Sequence, residues 1–142
     1  MGNINQKLIS FKYEGDGLQR GYENDEWTVG IKNYKKTNDI NYINNLEKHN
    51  NTDELFVLSR GNCSIVTANE NNGSLEYEIE KMKNNTIYII PKGLWHNTII
   101  DKDTKLILVE NADTSMDNSD ILNLKIGEIE KLKNKFKLLD KN

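Results

Sequence analysis

The 142-residue chain contains only two histidines, His49 and His96, and each sits where a metal ligand or a proton carrier is useful. His49 lies in LEKHNNTDELFVLSRG, residues 46–61. In an extended strand, residues two apart share a face, so Glu47 and His49 point together. After the polar NNTD turn, Glu54 opens a strand whose inward set reads Glu54, Phe56, Leu58. A carboxylate at the head of an apolar face needs a charged partner or a metal ion. His96 closes PKGLWH, residues 91–96, which holds the chain's one proline. Proline fixes φ and glycine accepts a positive φ, so the pair makes a rigid corner after the apolar run TIYII. Such a corner holds His96 at a reproducible position. The two stretches are expected to face each other across one barrel and to share a divalent ion.

The elements that must carry these residues read mainly as short strands. SLEYEIEKM, residues 74–82, alternates strictly, with Leu75, Tyr77 and Ile79 on one face and Glu76, Glu78 and Glu80 on the other. That is an antiparallel strand with one wet face. ELFVLS (54–59) and KLILVE (105–110) are apolar on both faces, so both should be central or covered. ENDEWTVGIKNY (23–34), TIYII (86–90) and DILNLKI (120–126) complete the set. RGNCSIVTA (60–68) is expected to form a hairpin with the strand before it, and NENNGS (69–74) to be a further turn. Near the C-terminus, Ile126, Ile129, Leu132, Phe136 and Leu139 recur at steps of three and four. This predicts one amphipathic helix, packed across a sheet or on a neighbouring subunit. Many short strands with regular turns predict an all-β fold, a small antiparallel β-barrel or jelly roll with a C-terminal α-helix.

The two histidine stretches together resemble the cupin superfamily. Its first motif runs glycine, five residues, His-x-His, three or four residues, glutamate, six residues, glycine. Its second runs glycine, five residues, Pro-x-Gly, two residues, histidine, three residues, asparagine. Here His49, Glu54 and Gly61 match the end of the first motif, and Pro91, Gly93 and His96 the heart of the second. The resemblance covers about residues 25–112 and is closest to small single-domain bacterial cupins. The chain departs from the motifs at Glu47, in the place of a histidine, at Asn85, in the place of the opening glycine, and at Ile100, in the place of the asparagine. Cupins generally hold a divalent metal through three histidines and a glutamate. The resemblance therefore implies Glu47, His49, Glu54 and His96 as the ligand set here, with iron, manganese or zinc as the ion. Two readings stand beside the metal: a metal-free proton-transfer site, in which Glu47 and Glu54 repel and one is protonated, and an inert hydrogen-bonded or ligand-binding remnant. The metal is favoured because both histidines of the chain fall at motif positions.

Bulk properties narrow the rest. With 19 basic and 22 acidic residues interspersed and a net charge of −3, no basic face for nucleic acid is expected. No run approaches a membrane span, and MGNINQKLIS lacks a signal pattern. One cysteine, Cys63, fits a reducing compartment, so a cytoplasmic protein is expected. The length fits one domain, 1–142, with a barrel at about 25–112 and a C-terminal strand and helix at about 118–140. Trp95, Asn97, Tyr42, Tyr88 and Cys63 are assigned to packing and Lys92 to solvent. Leu55 and Val57 would be exposed on a lone barrel, which predicts a homodimer. The expected partner is a small polar metabolite, met either by a metal-dependent enzyme using Lewis-acid or proton-transfer chemistry or by a non-catalytic ligand-binding module.

Overall fold

The computed structural model describes residues 5–139; Met1–Ile4 and Asp140–Asn142, the ends of the expected 1–142 unit, lie outside it. Short β-rich runs broken by Gly and Asn turns yield ten strands among the described residues: β1 (Leu18–Glu23), β2 (Trp27–Asn33), β3 (Asn45–His49), β4 (Glu54–Arg60), β5 (Cys63–Asn71), β6 (Ser74–Lys81), β7 (Ile87–Ile90), β8 (Trp95–Ile100), β9 (Lys105–Asn111) and β10 (Ser119–Asn123). One helix, α1 (Ile126–Leu139), follows. The strands form two five-stranded antiparallel sheets, ordered β1-β2-β9-β4-β7 and β10-β3-β8-β5-β6. This is the expected all-β jelly roll with a C-terminal helix.

Two layers of core result. Between the sheets lie Phe56, Leu58, Leu106 and Leu108 from one side and Cys63, Ile65 and Ile100 from the other. The second core lies on the outer face of the second sheet, where Leu132 of α1 is fully buried against a cluster containing Val66, Leu75, Tyr77 and Ile99. The apolar stripe of β6 thus faces the helix, and its glutamates lie on the opposite face. Of the two placements open to the helix, it takes its own chain's sheet.

Three local expectations are corrected. Residues 23–34 are not one strand, because the Asn24 side chain accepts hydrogen bonds from the amides of Glu26 and Trp27 and turns the chain between β1 and β2. β4 and β5 do not pair as a hairpin. β4 lies between β7 and β9, while β5 lies between β6 and β8. Gly61, at φ +87°, carries the chain from one sheet to the other, packed so tightly that a Cβ there would stand 2.7 Å from Thr104 Cα. DILNLKI splits, giving the strand β10, whose register pairs Ser119 with His49, and then the start of α1. The turn at 69–74 is a true hairpin, with Asn72 and Gly73 both at positive φ.

Candidate metal centre

The site forms where the inward faces of both sheets meet. His49 ends β3, Glu54 begins β4, and His96 lies on β8 directly opposite Glu47 of β3. The Pro91–Gly93 corner is fastened to the first stretch by its own backbone. Gly93 N–H donates to the His49 carbonyl at 2.7 Å, and Lys92 N–H to the Asp53 carboxylate at 2.9 Å. The corner thus ties the segment leading to His96 to the strand carrying His49.

All four expected ligands converge. One donor atom from each of Glu47, His49, Glu54 and His96 lies within 4.8 Å of the others. His49 Nε2 is 2.6 Å from Glu54 Oε2 and 3.9 Å from Glu47 Oε1. His96 Nε2 is 3.6 Å from Glu54 Oε2 and 3.8 Å from Glu47 Oε1. Three of these edges are close to the separation of about 3.4 Å between donors around a tetrahedral ion with bonds of about 2.1 Å.

The outer hydrogen bonds decide which way the imidazoles present their lone pairs. His96 Nδ1 lies 2.9 Å from the Leu94 carbonyl, which can only accept, so Nδ1 carries the proton. Nε2 points inward, buried and without a hydrogen-bond partner among the described residues. His49 Nδ1 is 2.8 Å from Ser119 Oγ, whose own hydrogen goes to the Ser115 carbonyl at 2.6 Å. Ser119 therefore accepts from Nδ1, and His49 Nε2 also turns inward. Two imidazole lone pairs and two carboxylates converging on one point repel unless a proton or a cation lies between them. This donor set, with each Nδ1 anchored from outside, fits a divalent ion.

Burial couples the charges of the site. Burial pushes the Glu54 carboxyl up, but the His49 hydrogen bond and the neighbouring His96 overcome it and bring it down to about 2. The same bond to Glu54 raises His49 against the opposing effect of burial. At 2.6 Å, His49 Nε2 and Glu54 Oε2 are close enough to share one proton. Glu110, directly across from Glu54 on β9, is raised by burial first and then by the Glu54 charge. Arg20 steadies it at 3.4 Å and donates to the Thr114 carbonyl at 2.9 Å. Solvent reaches the cluster on the Glu47 side, since that side chain is 33% exposed while the other three are 10% or less.

The chain's architecture matches solved structures. A cupin-2 domain protein from Shewanella frigidimarina superposes with a TM-score of 0.52 at 16% identity, covering 70% of this chain and 84% of that one. Oxalate decarboxylase from Bacillus subtilis gives 0.50 at 15% identity, over 69% of this chain and 24% of that one. Streptomyces PAC13 with uridine gives 0.55 at 8% identity, over 82% of this chain and 93% of that one. The fold is the cupin fold. No protein-family model matches the sequence, and no curated protein sequence matches it.

Two departures from the cupin motifs have a structural reason. Asn85, in the place of glycine, sits at φ +61°, a left-handed conformation that asparagine adopts more readily than other side-chain-bearing residues. Ile100, in the place of asparagine, is 1% exposed and belongs to the core between the sheets. Outside the site, Cys63 is buried with its thiol pushed up to about 12 by burial, so it packs rather than reacts. Trp95 packs against the helix-side core, Tyr88 against the inner one, and Tyr42 lies exposed under Lys36. Lys92 is exposed, as expected. Asn97 bridges β8 to the Asn45 carbonyl at 2.8 Å.

Sequence reasoning missed Ser119, Glu110 and Arg20. Glu110 carried a readable signal, since Leu106, Leu108 and Glu110 alternate inward as Leu58, Phe56 and Glu54 do. Ser119 carried none, because its place beside His49 depends on the β3–β10 register.

Proposed function

We propose that Glu47, His49, Glu54 and His96 hold one divalent ion, iron(II), manganese(II) or zinc(II), and that the site serves a small polar metabolite. The unpartnered, buried Nε2 of His96 carries this reading, because a buried ring nitrogen with no hydrogen-bond partner, facing two carboxylates and a second imidazole, is costly without a cation. When bound, such an ion supplies Lewis-acid polarisation of a ligand carbonyl or hydroxyl. The protein's own groups do the rest. Ser119 and the Leu94 carbonyl orient the imidazoles, and Glu54 and His49 would hold the ion in place of the proton they can share. Glu47, the member open to solvent, is placed to take or return a proton of the incoming ligand. Two carboxylates neutralise a 2+ charge, which favours neutral, hydroxyl- or carbonyl-bearing ligands over anions.

We place the 142-residue chain as one domain working in the cytoplasm, supported by its single buried cysteine. No helix among the described residues is long and apolar enough to cross a membrane. Protein purified without added metal should contain about one divalent ion per chain by elemental analysis. His49→Ala and His96→Ala should each lose it while circular dichroism remains that of a β-protein. A wild-type chain free of metal, and unable to take up zinc or manganese on titration, sinks the proposal. The rival reading, a ligand-binding module without chemistry, draws on the 2.6 Å His49–Glu54 contact, which satisfies both groups with a proton alone. It requires chelator-resistant stability together with thermal stabilisation by a metabolite.

A further inference from the structure

We propose that the cleft between the edge strands β6 and β7 seats the ligand of the metal centre, and that it takes a polyhydroxylated molecule of pentose or hexose size without anionic groups. This rests on the metal reading above and names the class of molecule that the site serves.

Strand register places the cleft against the centre. On the second sheet His96 lies opposite Glu47 on one side and Thr67 on the other, and Thr67 lies opposite Glu78. On the first sheet Glu54 lies opposite Ile90. Directly paired residues of antiparallel strands share a face. Thr67, Glu78 and Ile90 therefore turn toward the space between the sheets, as His96 and Glu54 do. β6 and β7 each end their sheet. Between them lies a cavity of about 470 Å³, walled by Ile65, Thr67, Glu78, Glu80, Tyr88 and Ile90. That volume is within the roughly 300–1,000 Å³ of small-molecule sites. Its inner end is one strand spacing, about 4.8 Å, from His96 on one sheet and from Glu54 on the other.

The lining decides the chemistry. Glu78 and Glu80 offer acceptors, and Thr67 offers both a donor and acceptors. The Tyr88 hydroxyl accepts from the Lys83 N–H at 2.8 Å, which leaves its own hydrogen to donate. Ile65 and Ile90, both buried, supply apolar surface among these polar groups. Hydroxyls on a carbon skeleton answer each part of that wall. They donate to the carboxylates in charge-assisted bonds and accept from Tyr88, while the C–H faces lie on isoleucine. An apolar ligand would strip water from two carboxylates without replacing the lost hydrogen bonds. An anion meets two carboxylates against one ammonium at the rim, that of Lys135, which is held on the Tyr77 carbonyl. The proposed ion, neutralised by Glu47 and Glu54, adds no charge to attract it.

The span sets the size. From His96 to Glu78 is two strand spacings, about 10 Å. The side chains occupy part of that distance, and a single sugar fills the rest. Such a ligand leaves one hydroxyl or carbonyl at the metal centre while its far hydroxyls meet Thr67 and Glu78. These two residues, outside the proposed ligand set, determine specificity.

Zinc-loaded protein should be stabilised against heat by at least one of D-arabinose, D-glucose and D-mannose at millimolar concentration, and not by gluconate. Thr67→Val and Glu78→Ala should each weaken sugar binding about tenfold in calorimetric titration, with zinc content as in the wild type. Thr67→Ser, which keeps the hydroxyl, should retain the affinity. A zinc-loaded chain that answers none of the three sugars overturns this inference alone. So does a chain that prefers gluconate, or one whose sugar binding is indifferent to both weakening variants. A chain that takes up no zinc has lost the metal reading first, and this inference falls with it.

Discussion

At the scale of single residues, the site depends on atoms that do not themselves point at its centre. The Ser119 hydroxyl accepts from His49 Nδ1 only because its own hydrogen is committed to the Ser115 carbonyl. Removing that hydroxyl leaves the four proposed ligands in place but frees the imidazole to rotate or change tautomer. Ser119→Ala should therefore weaken zinc or manganese binding by about 10–100-fold with little change in fold, as isothermal titration would show. Unaltered affinity would mean that packing alone holds the ring. The residue types Glu47, His49, Glu54 and His96 were legible in the sequence, since Glu54 heads an apolar run, His96 follows the Pro91–Gly93 corner, and Glu47 and His49 stand two apart at motif positions. Their supporting atoms were not, because a serine or a backbone carbonyl becomes a positioning group only when another strand brings it into place.

At the scale of elements, the strands were legible and their partners were not. The alternation in β6 and the Asn72–Gly73 turn follow from side-chain period and backbone sterics, which are local. The change of sheet at Gly61 is not local. It follows from where β9 and the Thr104 loop have already settled, with the Asn62 N–H donating to Thr104 Oγ1 at 3.0 Å and that hydroxyl donating back to the Asn62 carbonyl. Gly61 and Gly73 offer a clean comparison, because both have positive φ yet only Gly61 is crowded. Gly73→Ala should cost about 1 kcal/mol, the strain of a left-handed alanine. Gly61→Ala should cost at least about 2 kcal/mol more, since backbone at Thr104 must move. Equal losses in denaturant titrations would show that the crossing tolerates displacement.

At the scale of the whole molecule, Glu54 and His49, from different strands, couple their charge states to folding. Glu54 is depressed to about 2, so its contribution, on the order of 3 kcal/mol, is present above its unfolded value near 4.5 and lost as pH falls toward 2. His49 is raised, so its contribution is full below 6.5 and is lost as pH rises through its folded pKa. In chelator, thermal stability should therefore fall on both sides of a range between about pH 4.5 and 6.5. With saturating zinc or manganese the alkaline loss should reverse, because the proposed ion would replace a proton shared by His49 and Glu54 and gain as protons become scarce. Melting curves with and without metal across that range would check it; parallel curves would exclude competition at the site. Before any tertiary structure is considered, the amino-acid order determines the strand periods, the corner at Pro91–Gly93 and the terminal helix, all of which rest on backbone sterics and side-chain alternation within a few residues. Folding alone decides which sheet each strand joins, which core its apolar face enters and that four side chains from β3, β4 and β8 meet. Those outcomes depend on contacts between distant segments, and such contacts carry no local pattern in the chain.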